Sequence, residues 1–215
     1  MKACRRFVMQ FLFRIFRVAK CKTISLYRLL FSWCFSAMLR LRGVWVGKGG
    51  LYCGRPLISL YKDSSIVIGD NLTLRSSVNS NPLGCNQPVI IRTILEQAKI
   101  YIGNNVGCSA TSICAAKEIH IEDGVLFGAG AMIMDNDFHI WKDDDWCRVD
   151  KTNPVAVKIG KKCFIGSRAI ILKGVELGDC CVVGAGAVVK KGHYPAGSVL
   201  AGNPARVVQC SKRTL

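Results

Sequence analysis

An aliphatic side chain recurs at every sixth position towards the C-terminal end of the chain. Six residues keep this spacing without interruption: Ile159, Ile165, Ile171, Leu177, Val183 and Val189. Helices repeat their apolar positions at about 3.6 residues and half-buried strands at about 2 residues. A sustained period of six therefore predicts a parallel β-helix, in which short strands are joined by tight corners.

A second set of small or slim residues follows the first set four positions later. Its members are Cys163, Ala169, Val175, Cys181 and Ala187. We expect both sets to point into a narrow prism, where the aliphatic residues fill the interior and the slim residues fit beside the corners. Glycine follows four of the six aliphatic residues, which favours tight turns at those corners.

The repeat is interrupted twice. The stretch from Ser80 to Glu96 predicts loops or irregular corners, because turn-forming residues replace the apolar period. Between Ile133 and Ile159 the period stops again, and this gap holds a charged run. Since a regular solenoid supplies the scaffold and its insertions supply sites, residues 134–157 are the predicted active-site loop.

The positive charge of the chain is concentrated at its start. The formal net charge is +16, and residues 1–42 contain ten Lys or Arg residues and no acidic residue. Residues 43–215 therefore carry only +6, which is weak evidence for a nucleic-acid partner, and we expect none.

Residues 1–42 form the predicted basic amphipathic helical region. Residues 5–20 place apolar and basic side chains on opposite halves of a helix, which favours contact with an anionic membrane. The next apolar stretch, Leu29 to Leu39, is shorter than the roughly 20 residues that span a bilayer. We expect a cytoplasmic protein bound peripherally to the inner face of the cytoplasmic membrane. The alternative is a helical pair that packs on the β-helix or caps its first coil.

Twelve cysteines are spaced irregularly and include no C-x-x-C pair. We interpret them as reduced thiols in a cytosolic compartment, and a structural zinc site has little support. The zinc-dependent carbonic anhydrases built on such solenoids need three converging histidines, and the spacing of His120, His139 and His193 does not match theirs. No metal is expected.

His139 is the histidine that merits a functional interpretation. It ends the segment 135–139 (DNDFH), where the chain leaves a coil for the predicted loop. His120 lies within the coils and His193 near their end, and structural or surface roles suit them better.

Five segments carry a resemblance to a known family. They are 102–107 (IGNNVG), 137–139 (DFH), 165–167 (IGS), 183–191 (VGAGAVVKK) and 201–207 (AGNPARV). In this order they resemble the hexapeptide-repeat acyltransferases, with the closest likeness to the galactoside and maltose O-acetyltransferase branch and its exopolysaccharide-modifying relatives. The resemblance covers about residues 60 to 208. It implies a left-handed parallel β-helix and a homotrimer with active sites at the subunit boundaries.

The resemblance also implies roles for individual residues. His139 corresponds to a general base, and Asp137 or Asn136 either orients its ring or satisfies backbone groups of the corner. Acetyl-CoA is the implied acyl donor. The residues that match its binding region are Gly166, Ser167 and Ala185 along the pantetheine, Lys190, Lys191 and Arg206 near the nucleotide and phosphates, and Pro204 in the turn that precedes Arg206.

The acceptor site is less well defined by the resemblance. The galactoside branch places an acceptor-binding Asn where this chain has Cys108, Ser109 and Ala110. Trp141 and Trp146 in the loop are candidates to stack on a sugar, and packing within the loop is the alternative.

The sequence thus predicts an all-β protein with helical region 1–42, β-helix 43–208 and tail 209–215. The predicted activity is acetyl-CoA-dependent O-acetylation of a sugar or glycan intermediate. The alternatives are N-acylation of an amino sugar and a non-catalytic solenoid that binds a partner.

Overall fold

Three parallel sheets form the walls of a triangular β-helix. The computed structural model describes residues 26–139 and 153–210. Sheet A contains β1 (Trp45–Val46), β4 (Ser65–Ile68), β7 (Lys99–Ile102), β10 (Glu118–Ile121), β13 (Val157–Ile159), β16 (Val175–Leu177) and β19 (Gly192–Tyr194). Sheet B contains β2 (Leu51–Cys53), β5 (Thr73–Arg75), β8 (Gly107–Ser109), β11 (Leu126–Phe127), β14 (Phe164–Ile165), β17 (Val182–Val183), β20 (Ser198–Gly202) and β21 (Ala205–Cys210). Sheet C contains β3 (Leu57–Ser59), β6 (Ile90–Thr93), β9 (Ser112–Ala115), β12 (Met132–Met134), β15 (Ile170–Ile171) and β18 (Val188–Val189).

Each regular coil contains three hexapeptides, one for each sheet. Phe164 pairs in parallel with Val182, and Ile170 pairs with Val188, in each case eighteen residues further along. The six aliphatic residues of the repeat and the five slim residues are all buried. The fold is therefore the predicted left-handed parallel β-helix, and its core is the column of side chains that the six-residue period marks.

Two parts of the chain depart from the regular pattern. The stretch from Ser80 to Glu96 is not entirely loop, because β6 lies within it and pairs with β3 and β9. Ile91 is buried in the core although it lies outside any readable six-residue series, so the sequence interpretation was wrong there. At the other end, β21 turns back and pairs antiparallel with β20.

A helix, α1 (residues 26–41), covers the first coil. Phe35 and Leu39 are buried against it, with the Phe35 ring edge-on to Tyr52 at 5.2 Å between centroids. The Ser32 hydroxyl accepts the Tyr52 N–H at 2.9 Å, and the Arg40 guanidinium donates to the Val46 carbonyl at 2.8 Å. The described helix therefore packs on the first coil, as the alternative of a helical pair expects of one of its two helices. The predicted helix over residues 5–20 lies outside the described residues.

Within residues 26–139 and 153–210, no helix has both the length and the hydropathy that crossing a membrane requires.

Two leucines of sheet B provide a test of the inward column. Leu74 is completely buried, whereas Leu126 points outward and is half exposed. Leu74→Ala should lower the free energy of unfolding by about 2 to 5 kcal/mol, because the prism cannot collapse around the cavity. Leu126→Ala should change it by less than about 1 kcal/mol. Denaturant unfolding followed by circular dichroism measures both, and equal losses would contradict the assigned core.

Candidate active site

The corners between the sheets stack into columns that run along the β-helix. The second corner column joins sheet B to sheet C and includes 76–89, 110–111, 128–131, 166–169 and 184–187. The third corner column joins sheet C to sheet A and includes 94–98, 116–117, 135–156, 172–174 and 190–191. The two columns therefore occupy opposite edges of sheet C, and each carries one of the long insertions.

Asp135 fixes the start of the insertion in the third corner column. Its carboxylate is fully buried and accepts the backbone N–H groups of Ala116, Lys117 and Glu118 at 2.7 to 2.8 Å. It also accepts the Asn136 side-chain amide at 3.0 Å. A carboxylate held by several N–H donors ties the departing loop firmly to the coil before it.

The chain then makes a tight turn that positions His139. Asn136 accepts the Phe138 N–H through its side-chain oxygen at 2.9 Å, and the His139 N–H donates to the Asp137 carbonyl at 2.7 Å. Phe138 adopts a φ of 62°, so the turn is a γ-turn with a left-handed central residue, which is rare and strained. His139 emerges from it exposed to solvent.

Asp137 and Asn136 make contacts that the sequence left undecided. The Asp137 carboxylate binds the Lys173 ammonium at 2.5 Å, and Lys173 also donates to the Asn153 carbonyl at 3.2 Å. Lys173 thereby connects the two described ends of the insertion. The Asn136 side-chain oxygen accepts the backbone N–H of Phe138 at the corner. Among residues 26–139 and 153–210, no side chain hydrogen-bonds the His139 imidazole.

A groove of about 680 Å³ runs along the second corner column. Ser167, Arg168, Ala185 and Gly186 line one side of it, and Leu83 and Gln87 from the insertion at 76–89 line the other. Ser167 and Ala185 lie on successive coils, because the Ser167 carbonyl accepts the Gly186 N–H at 2.9 Å. A Cβ on Gly166 would lie 2.5 Å from the Ala185 nitrogen, so only glycine permits this stacking.

The other predicted coenzyme residues divide between two places. Pro204 and Arg206 lie at the hairpin that joins β20 to β21, and β20 pairs directly with β17, the strand before Ala185. Lys190 and Lys191 lie in the third corner column, on the same edge of sheet C as His139. Within one protomer, the two lysines therefore share an edge of sheet C with His139 and not with Ser167 and Ala185.

Cys108 and Ser109 lie in β8, beneath the insertion at 76–89. Cys108 is packed in the hydrophobic core, and burial raises the pKa of its thiol to about 12, so it is not a nucleophile at neutral pH. The Ser109 hydroxyl accepts the Asn81 side-chain amide at 3.0 Å. Both border a second cavity of about 520 Å³ on the outer side of sheet B.

Three residues near these cavities escaped the sequence interpretation. Asn81 and Gln87 lie in an insertion with no periodic signal, and Arg168 occupies a corner position with a φ of 57°. The placement of Asn81 and Gln87 depends on how the insertion folds over the coils, whereas Arg168 lies in a regular corner. Trp141 and Trp146, the predicted sugar contacts, lie outside the described residues.

The remaining histidines have local partners on sheet A. His120 stacks on Tyr101 at 4.4 Å between centroids and approaches the Glu122 carboxylate at 3.1 Å. His193 pairs with Glu176 at 3.3 Å. In the described ranges, no three His, Cys, Asp or Glu side chains are grouped as metal ligands would be.

Comparison with known proteins agrees with this architecture. The sequence model of the family described as "Hexapeptide repeat of succinyl-transferase" matches residues 156–191. No curated protein matches the chain significantly. The AntD N-acyltransferase from Bacillus cereus, solved with dTDP and 3-hydroxybutyryl-CoA, is similar with a TM-score of 0.56 and 19% identity over 82% of this chain and 88% of that one.

Two sugar acetyltransferases are also similar. A maltose O-acetyltransferase from Clostridium difficile 630 gives a TM-score of 0.44 at 22% identity, over 80% of this chain and 73% of that one. A galactoside acetyltransferase in complex with coenzyme A gives 0.41 at 22% identity, over 76% of this chain and 63% of that one. The chain thus carries the hexapeptide repeat over residues 156–191, and it shares its fold with the AntD N-acyltransferase.

The contacts of Asp135 predict a large structural effect of a small change. Asp135→Asn places an amide N–H₂ where one of the backbone N–H groups now finds an oxygen, so a buried donor loses its acceptor. We expect a loss of about 2 kcal/mol or more in the free energy of unfolding and faster hydrogen exchange at residues 116–118. Asp63→Asn, at an exposed corner, is the matched control. Unchanged exchange at 116–118 would disprove the anchoring role.

Proposed function

We propose that this protein is an acetyl-CoA-dependent O-acetyltransferase that modifies a hydroxyl of a sugar or glycan intermediate. His139 acts as the general base. The acceptor oxygen attacks the thioester carbonyl carbon while His139 removes the hydroxyl proton. The new C–O bond forms and the C–S bond breaks. The His139 imidazolium then returns the proton to the departing thiolate, which leaves as the free thiol of coenzyme A. An imidazole suits this task because it exchanges protons near neutral pH.

The observation that carries this proposal is the division of the candidate residues between the two edges of sheet C. His139, Lys190 and Lys191 lie on one edge, and the groove with Ser167 and Ala185 lies on the other. Among residues 26–139 and 153–210, neither edge holds both the candidate base and the groove. The proposal therefore brings them together through a second copy of the chain.

The outer face of sheet C is mostly apolar, as expected of an interface between two copies of the chain. Register aligns an outward column across its six strands: Leu57, Ile90, Ser112, Met132, Ile170 and Val188. Five of these six side chains are apolar. If three copies turn this face towards a common three-fold axis, the third corner column of each protomer meets the second corner column of the next.

This homotrimer completes three equivalent sites at the subunit boundaries. His139 and the two lysines of one protomer face the groove of its neighbour, where the pantetheine arm lies along Ser167 and Ala185. Lys190, Lys191 and Arg206 then bind phosphate oxygens of the coenzyme. The groove has the volume of sites that bind an extended small molecule.

N-acylation of an amino sugar is the alternative reaction, because attack by an amine also needs a base. The products distinguish the two reactions, since an ester is cleaved by mild alkali and an amide persists. A non-catalytic solenoid is distinguished by coenzyme binding, because a catalytic trimer is stabilised thermally by acetyl-CoA.

Replacing the proposed base tests the chemistry. His139→Ala should lower the rate of thiol release from acetyl-CoA with a sugar acceptor by about 10² to 10⁴. Thermal stabilisation by coenzyme A should persist, because the substitution leaves the groove residues Ser167 and Ala185 unchanged. His193→Ala, a histidine paired with Glu176 on sheet A, serves as the control and should retain full turnover. Equal turnover of all three proteins would exclude His139 from the reaction.

A mixed assembly tests whether the site is shared between subunits. His139→Ala removes the base, and Ala185→Trp fills the groove at an exposed position, so each homotrimer should be inactive. Trimers that contain both chains, purified through two different tags, should regain about one third of wild-type turnover, because one of their three boundaries pairs an intact histidine with an intact groove.

The control for this assembly pairs His139→Ala with His139→Asn, which leaves every boundary without a base. If the mixed trimers of His139→Ala and Ala185→Trp are no more active than this control, the site lies within one protomer and the shared arrangement is wrong.

A further inference from the structure

Helix α1 is apolar on two opposite sides. Its inner side, with Phe35 and Leu39, is buried against the first coil. Its outer face is formed by Leu26, Leu29, Leu30 and Trp33, which follow the i, i+3, i+4, i+7 spacing of a single helical stripe. These side chains are exposed, Trp33 by 72% and Leu29 by 60%.

A stripe of this kind requires a partner surface. Surface helices of soluble proteins normally carry charged or polar residues opposite their buried side. Contiguous exposed apolar side chains mark a binding face for a protein or a membrane. In the described part of the chain, no element covers the outer face of α1.

The charges in the first 62 residues of the sequence indicate the kind of partner. The first carboxylate of the chain is Asp63, so residues 1–62 contain no acidic side chain. The same 62 residues contain thirteen cations: Lys2, Arg5, Arg6, Arg14, Arg17, Lys20, Lys22, Arg28, Arg40, Arg42, Lys48, Arg55 and Lys62. Arg28 and Arg42 are exposed at the two ends of α1. Exposed cations at both ends of an apolar stripe, in a sequence segment without acidic residues, are complementary to anionic lipid headgroups above an acyl layer.

We propose that the outer face of α1 lies in the headgroup region of an anionic lipid bilayer, with the helix parallel to the membrane plane. The inner side of α1 packs on the first coil and only its outer face is exposed, so the helix meets lipid along its side. Trp33 and Tyr27, both largely exposed, are the aromatic residue types that favour this depth. The first coil then faces the lipid, and the later coils extend away from it.

The proposed trimer would strengthen this attachment. Cyclic symmetry makes the three β-helices parallel, so their three α1 helices lie at the same end of the assembly. Each lipid contact then holds the other two near the surface, which raises the apparent affinity. Only this gain depends on the trimer, because one protomer already presents the complete outer face of α1.

Vesicle sedimentation with the full-length chain tests the proposal. The vesicles contain either phosphatidylcholine alone or phosphatidylcholine with one third phosphatidylglycerol. The double variant Leu30→Glu/Trp33→Glu introduces charge into the outer face of α1, and Val208→Glu introduces charge at an exposed apolar position near the opposite end of the β-helix. Circular dichroism and light scattering establish that each variant keeps its fold and mass.

We expect the wild-type protein and Val208→Glu to sediment with the anionic vesicles and to dissociate as salt is raised. The double variant should bind at least about tenfold more weakly, because two apolar side chains no longer enter the lipid. Equal binding of the double variant and the wild type would overturn the proposal and leave residues 1–25 as the attachment. Equal binding to neutral and anionic vesicles would overturn the electrostatic part.

A change in mass would identify a different occupant. If the double variant halves the mass of the wild-type assembly while vesicle binding stays the same, the outer face of α1 is an interface between copies and the lipid proposal is wrong. Thiol release with a soluble sugar acceptor is measured in parallel. It should be unchanged in the double variant, so a failure of lipid binding is distinguishable from a failure of the proposed enzymatic activity.

Discussion

The close stacking of successive coils is the constraint on which the rest of this molecule depends. At the corners, backbone approaches backbone so closely that a single Cβ on Gly166 would collide with the next coil. The parallel pairing at this spacing fixes which side chains point inward and aligns each corner above the one before it. Coils that stack so regularly accept extra residues only at corners, where the chain leaves the sheets. The two long insertions at 76–89 and 135–156 follow this rule.

The functional consequence is a separation of scaffold and chemistry. The sheets are rigid and hold the corner columns at fixed positions, while the insertions supply the groove wall at Gln87 and the tight turn before His139. Local strain at Phe138 and the buried carboxylate of Asp135 both serve to define where the histidine leaves the coil. Within one protomer, His139 and the groove lie at opposite edges of sheet C. In the proposed trimer, the assembly brings them together.

The sequence was informative wherever a residue faces the interior. The six-residue period identified the buried column from Ile159 to Val189, and its interruption located the insertion that carries His139. The sequence did not indicate which side chains on the outer surface contact one another. The Asn81 side chain hydrogen-bonds Ser109, 28 positions away in sequence, and Lys173 binds Asp137, 36 positions away. No periodic pattern in the sequence marks either contact. The Ser80 to Glu96 stretch shows the same limit, because Ile91 joins the core through pairing with neighbouring strands.

The reversal of direction at β21 has a consequence for how copies of this chain can meet. A parallel β-helix has two open ends, each a row of unpaired strand edges onto which a further coil could add. Here α1 lies across the first coil, and β21, antiparallel to β20, occupies the edge of sheet B at the last. End-to-end stacking into a fibre is thereby obstructed at both termini of the solenoid. Copies of the chain can still associate side by side through the outer faces of their sheets. Such association can form a closed oligomer with a small number of subunits.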